Sequence, residues 1–61
     1  MERELVEERK KLCNCAFFSK VIGYTHSWVN NAENGKVSVS DKFIENYKEG
    51  LKKVREIIKN A

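Results

Sequence analysis

One local device recurs three times in this 61-residue chain: an apolar residue, a capping side chain, and a second apolar residue five places after the first. Cys13-Asn14 leads to Phe18, Tyr24-Thr25 to Val29, and Val39-Ser40 to Ile44. An Asn, Thr or Ser at the cap accepts a hydrogen bond from a first-turn amide, and the flanking apolar pair pins the angle at which the chain enters the turn. Each occurrence therefore marks a helix start. The stops agree, with Gly23 closing one segment and Asn34-Gly35 the next. Ser38, with Asp41 three residues on, offers a rival capping box for the last start; Ser40 is preferred because the staple goes with it.

This punctuation predicts an all-α fold of four to five helices, compact and without strands. The first helix covers about residues 2–12, with Leu5 and Leu12 inward and Arg9 between them. The second covers 15–22 and the third 26–33. The last is long, about 41–59, and keeps one apolar stripe through Phe43, Ile44, Tyr47, Leu51, Val54 and Ile58. Gly50 weakens that helix by about 1 kcal/mol relative to alanine, which makes it the place for a bend or break. With no proline, repeat or linker, residues 1–61 read as one domain, near the lower size limit for folding without staples.

Several classes of protein are disfavoured by what the chain lacks. No apolar run approaches the length of a membrane span, and Met1 leads into charged residues rather than a signal peptide, so the expectation is a cytoplasmic protein. Cys13 and Cys15 are too close in sequence to close a disulfide easily, and with one distant His26 they fall short of a zinc set. Reduced thiols in a cytosol are the simpler reading. One histidine, no serine–histidine–carboxylate grouping and no glycine-rich phosphate loop leave no catalytic constellation. The chain reads as a non-enzyme without cofactors.

Charge points to a partner. The net charge is +3, but residues 1–8 carry −3, residues 9–40 carry +4 with Glu33 as their only acid, and residues 41–61 carry +2. The acid-poor middle third holds the segment Gly23–Lys36, whose short helix has Tyr24, Val29 and Ala32 inward. Its polar face carries His26, Ser27, Asn30 and Asn31. Amide and hydroxyl groups offered outward from a short helix suit base edges in a DNA major groove, and a surface poor in carboxylates can approach phosphates. Only Gly23, Tyr24 and Thr25 join this helix to the one before, which forces the steep crossing of a helix-turn-helix over about residues 14–34.

The stretch from about residue 13 to 51 resembles the Cro/repressor (XRE-type, lambda-repressor-like) helix-turn-helix family. The run Asn14, Cys15, Ala16, Phe17, Phe18, Ser19, Lys20, Val21, Ile22, Gly23 follows that family's pattern of cap, glutamine, polar pair, apolar, small residue and turn glycine. Thr25 matches the cap of the reading helix, Val29 its buried aliphatic, and Glu33-Asn34-Gly35-Lys36 its closing stretch; Ser40, Ile44, Tyr47 and Leu51 fall on the cap and core of the next helix. Three positions depart. Cys15 replaces the glutamine that in the family touches phosphate and braces the reading helix. Trp28 stands where a small hydroxyl residue is usual. The family's arginine partner of the glutamate matching Glu33 aligns with Glu8, so either the loop before helix two is one residue shorter and Arg9 pairs with Glu33, or that ion pair is absent.

The resemblance implies duplex DNA as partner, with His26, Ser27 and Asn31 reading bases and Asn30 beside them. Phosphate contact is expected from Asn14, Cys15, Thr25, Asn34, Lys36 and Lys20. Trp28 either lies against the sugar-phosphate or packs its ring on helix two or four. The implied activity is operator occupancy by a small transcriptional repressor, acting as a homodimer on pseudo-palindromic half-sites roughly 34 Å apart. Val54, Ile57 and Ile58 are the expected dimer surface, unless they fold back over Leu5 and Leu12. The rival expectation is a protein-interaction module, such as an antitoxin or an assembly subunit, that keeps the fold without reading bases.

Overall fold

The computed structural model describes residues 1–60 and contains four helices: α1 (Arg3–Leu12), α2 (Cys15–Ile22), α3 (His26–Glu33) and α4 (Asp41–Lys59). The three capping side chains do what their spacing predicts. Asn14 accepts from the Phe17 amide at 2.8 Å, Thr25 from Trp28 at 3.2 Å, and Ser40 from Phe43 at 3.2 Å. Ser38 has no part in the cap of α4. Only α1 starts without a side-chain cap; Glu2 precedes it, and the helix begins one residue later than its apolar pattern suggests.

Two helices end through a glycine in the left-handed region, where a side chain would be strained. Gly23 has φ +79°, and both its own amide and that of Tyr24 donate to the Ser19 carbonyl, at 2.9 and 3.0 Å. Gly35 has φ +73°, and the Lys36 amide reaches back to the Asn31 carbonyl at 2.9 Å. A bond from two residues past the cap to a carbonyl five positions earlier satisfies orphan groups of the last turn and reverses the chain.

α4 forms the spine. At about 1.5 Å per residue its 19 residues span most of the 34 Å long axis of the molecule, which is 19 × 18 Å across. α1 and α2 pack on it, and α3 packs on α2. The core consists of Phe18, Val29, Ala32, Phe43, Tyr47, Leu51 and Val54. Its aromatic rings meet tilted or edge-on: Phe18 and Tyr47 centroids are 4.6 Å apart, Tyr24 and Phe43 4.9 Å, Trp28 and Phe43 6.3 Å.

Two expectations are corrected here, the bend or break at Gly50 and the place of Val54. The helix count is four, because α4 runs through Gly50 without a break. Gly50 is there for space: a Cβ would fall within 3.0 Å of the Phe18 ring and still closer to Ile22, so its missing side chain lets α2 and α4 approach. Val54 belongs to the chain's own core rather than to a dimer surface, since its position on α4 faces inward with Leu51 and Tyr47; Ile58, one turn further, leaves the stripe and is exposed. In α1 Leu5 and Leu12 pack half-buried against the core as expected, and Val6 is buried as well.

Arg9 is buried with Val6, and its charge is answered across the fold. Its Nη2 and Nε donate to the two carboxylate oxygens of Glu33 at 2.6 and 2.7 Å, and its Nη1 to the Cys13 carbonyl at 2.9 Å. The Tyr47 hydroxyl donates to the same Glu33 at 2.6 Å. The choice left open by the sequence is therefore decided in favour of the ion pair. The carboxylate and its hydrogen bonds hold the Arg9 guanidinium firmly in its charged form. Burial, then the bond to Glu33, pushes the Tyr47 hydroxyl far above its usual range. An exposed pair, Arg55 with Glu8, adds a surface link between α4 and α1 of the kind that contributes little.

Candidate functional site

The outer face of α3 is the candidate site. His26, Ser27 and Asn30 are exposed there, and Asn31 is half-buried beside them. The face arises from the helical period: Val29 and Ala32 turn fully inward, which sends 27, 30 and 31 out on the opposite side. Both ends of this eight-residue segment are fixed, the first by Thr25 and the last by the Gly35 reversal. Glu33 in its final turn is tied to α1 and α4 through Arg9 and Tyr47.

Among these side chains the asparagines differ in what they offer. Asn34 folds back so that its Nδ2 donates to the Asn30 carbonyl at 2.9 Å and to the Asn30 Oδ1 at 3.3 Å. With its Oδ1 in that contact, Asn30 keeps an NH2 free to donate. Asn31 has no side-chain bond to another group of the chain among the described residues, and so keeps both a donor and an acceptor for a bidentate contact.

Of the residues expected at phosphate, Asn14, Lys20, Thr25, Asn34 and Lys36 are exposed. Asn14 and Thr25 already accept from first-turn amides, so they serve as caps first. Cys15 and Trp28 differ from these in exposure. Both are half-buried and packed against the core, because a thiol and an indole gain more from apolar contact than from solvent. The Trp28 ring stands edge-on to Phe43, and its indole N–H is buried without an acceptor among the described residues. The packed alternative for Trp28 is the one the fold adopts.

The two thiols are free and half-buried. Burial pushes both above their usual range, and the neighbouring charges of Arg9 and Glu33 act on each in opposite directions.

Sequence reasoning missed Phe17, which is 43% exposed on α2. The signal was present: Phe17 and Phe18 are adjacent, the staple takes Phe18 inward, and its neighbour must then face out. Ile57 and Ile58, at 52% and 49% exposed, form a second apolar surface at the end of α4. None of the four helices is long and apolar enough to cross a membrane. Among the described residues no three or more His, Cys, Asp or Glu side chains gather as a metal cage. No family model, curated protein or solved structure matches the chain.

Proposed function

We propose that this chain is a helix-turn-helix protein of the Cro/repressor type that binds double-stranded DNA by sequence. The observation that carries the reading is the row His26, Ser27, Asn30 and Asn31, set on a helix whose two ends and last turn are all held. A groove reader needs a ridge that does not bend on contact, and the caps and the Arg9–Glu33 clamp supply one. Asn31 pairs with adenine through both amide atoms, and Asn30 donates to an acceptor on a neighbouring base or phosphate. His26 sits at the first helical position, where it meets a base edge or the backbone. Lys20 and Lys36 set register on phosphates, together with the amides that open α2 and α3.

Binding at an operator obstructs polymerase, with two copies on a pseudo-palindromic site. Regulation follows its concentration, its pairing or a protein partner. The action is that of a cytoplasmic, DNA-associated regulator and not of an enzyme. Selection from random DNA duplexes tests the proposal, and a single enriched motif is the expected result. Affinity for that motif falls steeply with salt, with a log–log slope proportional to the phosphates neutralised.

A second reading has its own support. Phe17, Ile57 and Ile58 are exposed apolar groups, and Cys15 and Trp28 stand, half-buried, where the family places polar contacts. Those features favour a protein-interaction module. Its affinity for a partner would change little with salt, and no duplex motif would emerge from selection.

A further inference from the structure

Asn34 and Asn30 are exposed residues one helical turn apart, joined through both side chain and backbone. The Asn34 Nδ2 donates to the Asn30 carbonyl at 2.9 Å and to the Asn30 Oδ1 at 3.3 Å. The Asn34 backbone amide donates to the same carbonyl at 3.1 Å. Asn34 is the C-cap of α3, with φ −90° and ψ 3°, and the left-handed Gly35 that follows turns the chain away.

These bonds decide which atom is which in both side-chain amides. A backbone carbonyl only accepts, so the Asn34 atom that meets it is the nitrogen. The second hydrogen of that nitrogen needs an oxygen, which sets the Asn30 Oδ1 towards Asn34 and leaves Asn30 its NH2 for a partner. Reversing the Asn30 amide would set two NH2 groups against each other. Asn31 has no such tie among the described residues and can turn its amide either way.

Asn34 in turn has both Nδ2 hydrogens committed, and its Oδ1, an acceptor, has nothing to offer a phosphate. From this geometry we infer that Asn34 is a positioning residue that fixes the polarity of Asn30, so that Asn30 meets hydrogen-bond acceptors on a base edge. Those acceptors are O6 and N7 of guanine and O4 of thymine. The N4 amino group of cytosine is refused, because donor would face donor. This role rests on the proposed reading of DNA by α3 and names the edge that one of its residues takes.

The test is selection from random duplexes with the full wild-type chain, Asn30→Ala, Asn34→Ala and Asn34→Asp. Both residues are exposed, so these substitutions spare the core, and circular dichroism checks the helices of each. Asn30→Ala identifies the motif position that Asn30 reads, expected to hold guanine or thymine. Asn34→Ala frees the Asn30 amide, and the preference ratio at that position alone should fall about fivefold, the scale of one hydrogen bond. In Asn34→Asp the carboxylate accepts from the Asn30 NH2 at the same i, i+4 spacing and leaves Oδ1 for the partner, so preference there moves to cytosine or adenine. The added negative charge weakens binding to every duplex alike and leaves the ratios at other positions unchanged. A cap with no part in reading would change affinity or stability without moving the preference at one position. No motif from the wild-type chain removes the DNA-reading function and this role with it. A motif in which Asn30→Ala alters no single position, in which Asn34→Ala leaves the Asn30 position unchanged, or in which Asn34→Asp keeps guanine or thymine there, overturns this role alone.

Discussion

The guanidinium of Arg9 grips both carboxylate oxygens of Glu33, 24 residues away, at 2.6 and 2.7 Å, and so ties the first helix to the last turn of α3. The two side chains are only 7% and 4% exposed. Removing one partner leaves the other charged in a dry site, which costs far more than the pair contributes as a unit. Arg9→Met is expected to lower stability by about 3–5 kcal/mol. Arg9→Met combined with Glu33→Leu should recover a large part of that loss. Denaturant titration measures both, as a change in midpoint at constant slope. A loss for the single variant no larger than that of an exposed pair would contradict the burial of this clamp.

Gly50→Ala tests the opposite intuition about glycine in helices. By propensity alone alanine stabilises α4 by about 1 kcal/mol. The new Cβ would meet Ile22 and the Phe18 ring, and overpacking of this sort costs about 1–3 kcal/mol. A net fall in thermal stability is therefore expected. The cost should shrink in an Ile22→Ala background, where the double-mutant cycle exposes the coupling.

Tyr47 gives the fold an alkaline limit. Its hydroxyl is pushed up by burial and by donation to Glu33, whereas in the unfolded chain it ionises near pH 10. The stabilisation is fully present below that pH and is lost as pH rises towards the higher folded value. Tyr47→Phe should cost about 1.5–3 kcal/mol at neutral pH, as for a bond to a charged acceptor. It should also flatten the loss of stability above about pH 10. Denaturant melts of both proteins from pH 7 to 11 separate the two effects.

Asn31→Ala should relax preference at one base pair of a selected motif, with a loss of about 1–3 kcal/mol of discrimination there. His26→Ala should act at a different position. Uniform weakening on every duplex would mean these side chains touch only the backbone.

Ile57 and Ile58 are the apolar residues left for a second copy once Val54 is in the core. Replacing both with lysine should convert a dimer into a monomer in sedimentation without lowering the melting temperature of the single chain. A wild-type chain that sediments as a monomer, both free at high concentration and on its DNA site, would remove the pairing proposal.

Much of this architecture was legible because it is local. Asn14, Thr25 and Ser40 announce their helices through contacts three residues away, and Gly23 and Gly35 stop them through backbone geometry that few other residues adopt. The outward row of α3 follows from Val29 and Ala32 by helical period alone. What escaped the sequence depends on distance. Whether Arg9 meets Glu33 turns on the path of Cys13 and Asn14, which no spacing rule fixes. Gly50 reads as a weakness until the approach of Ile22 and Phe18 is known. Trp28 and Cys15 sit on the site's margin in sequence, yet the core claims them.

One guanidinium nitrogen on the Cys13 carbonyl and two on Glu33 make the joint between α1 and α2 a gauge of fixed length. Inserting a single residue between Arg9 and Asn14 would turn α1 by about 100° about its axis and swing that arginine out to solvent. Length changes are accommodated more cheaply in the longer connection ahead of Ser40, which is where a tag or label belongs in this chain.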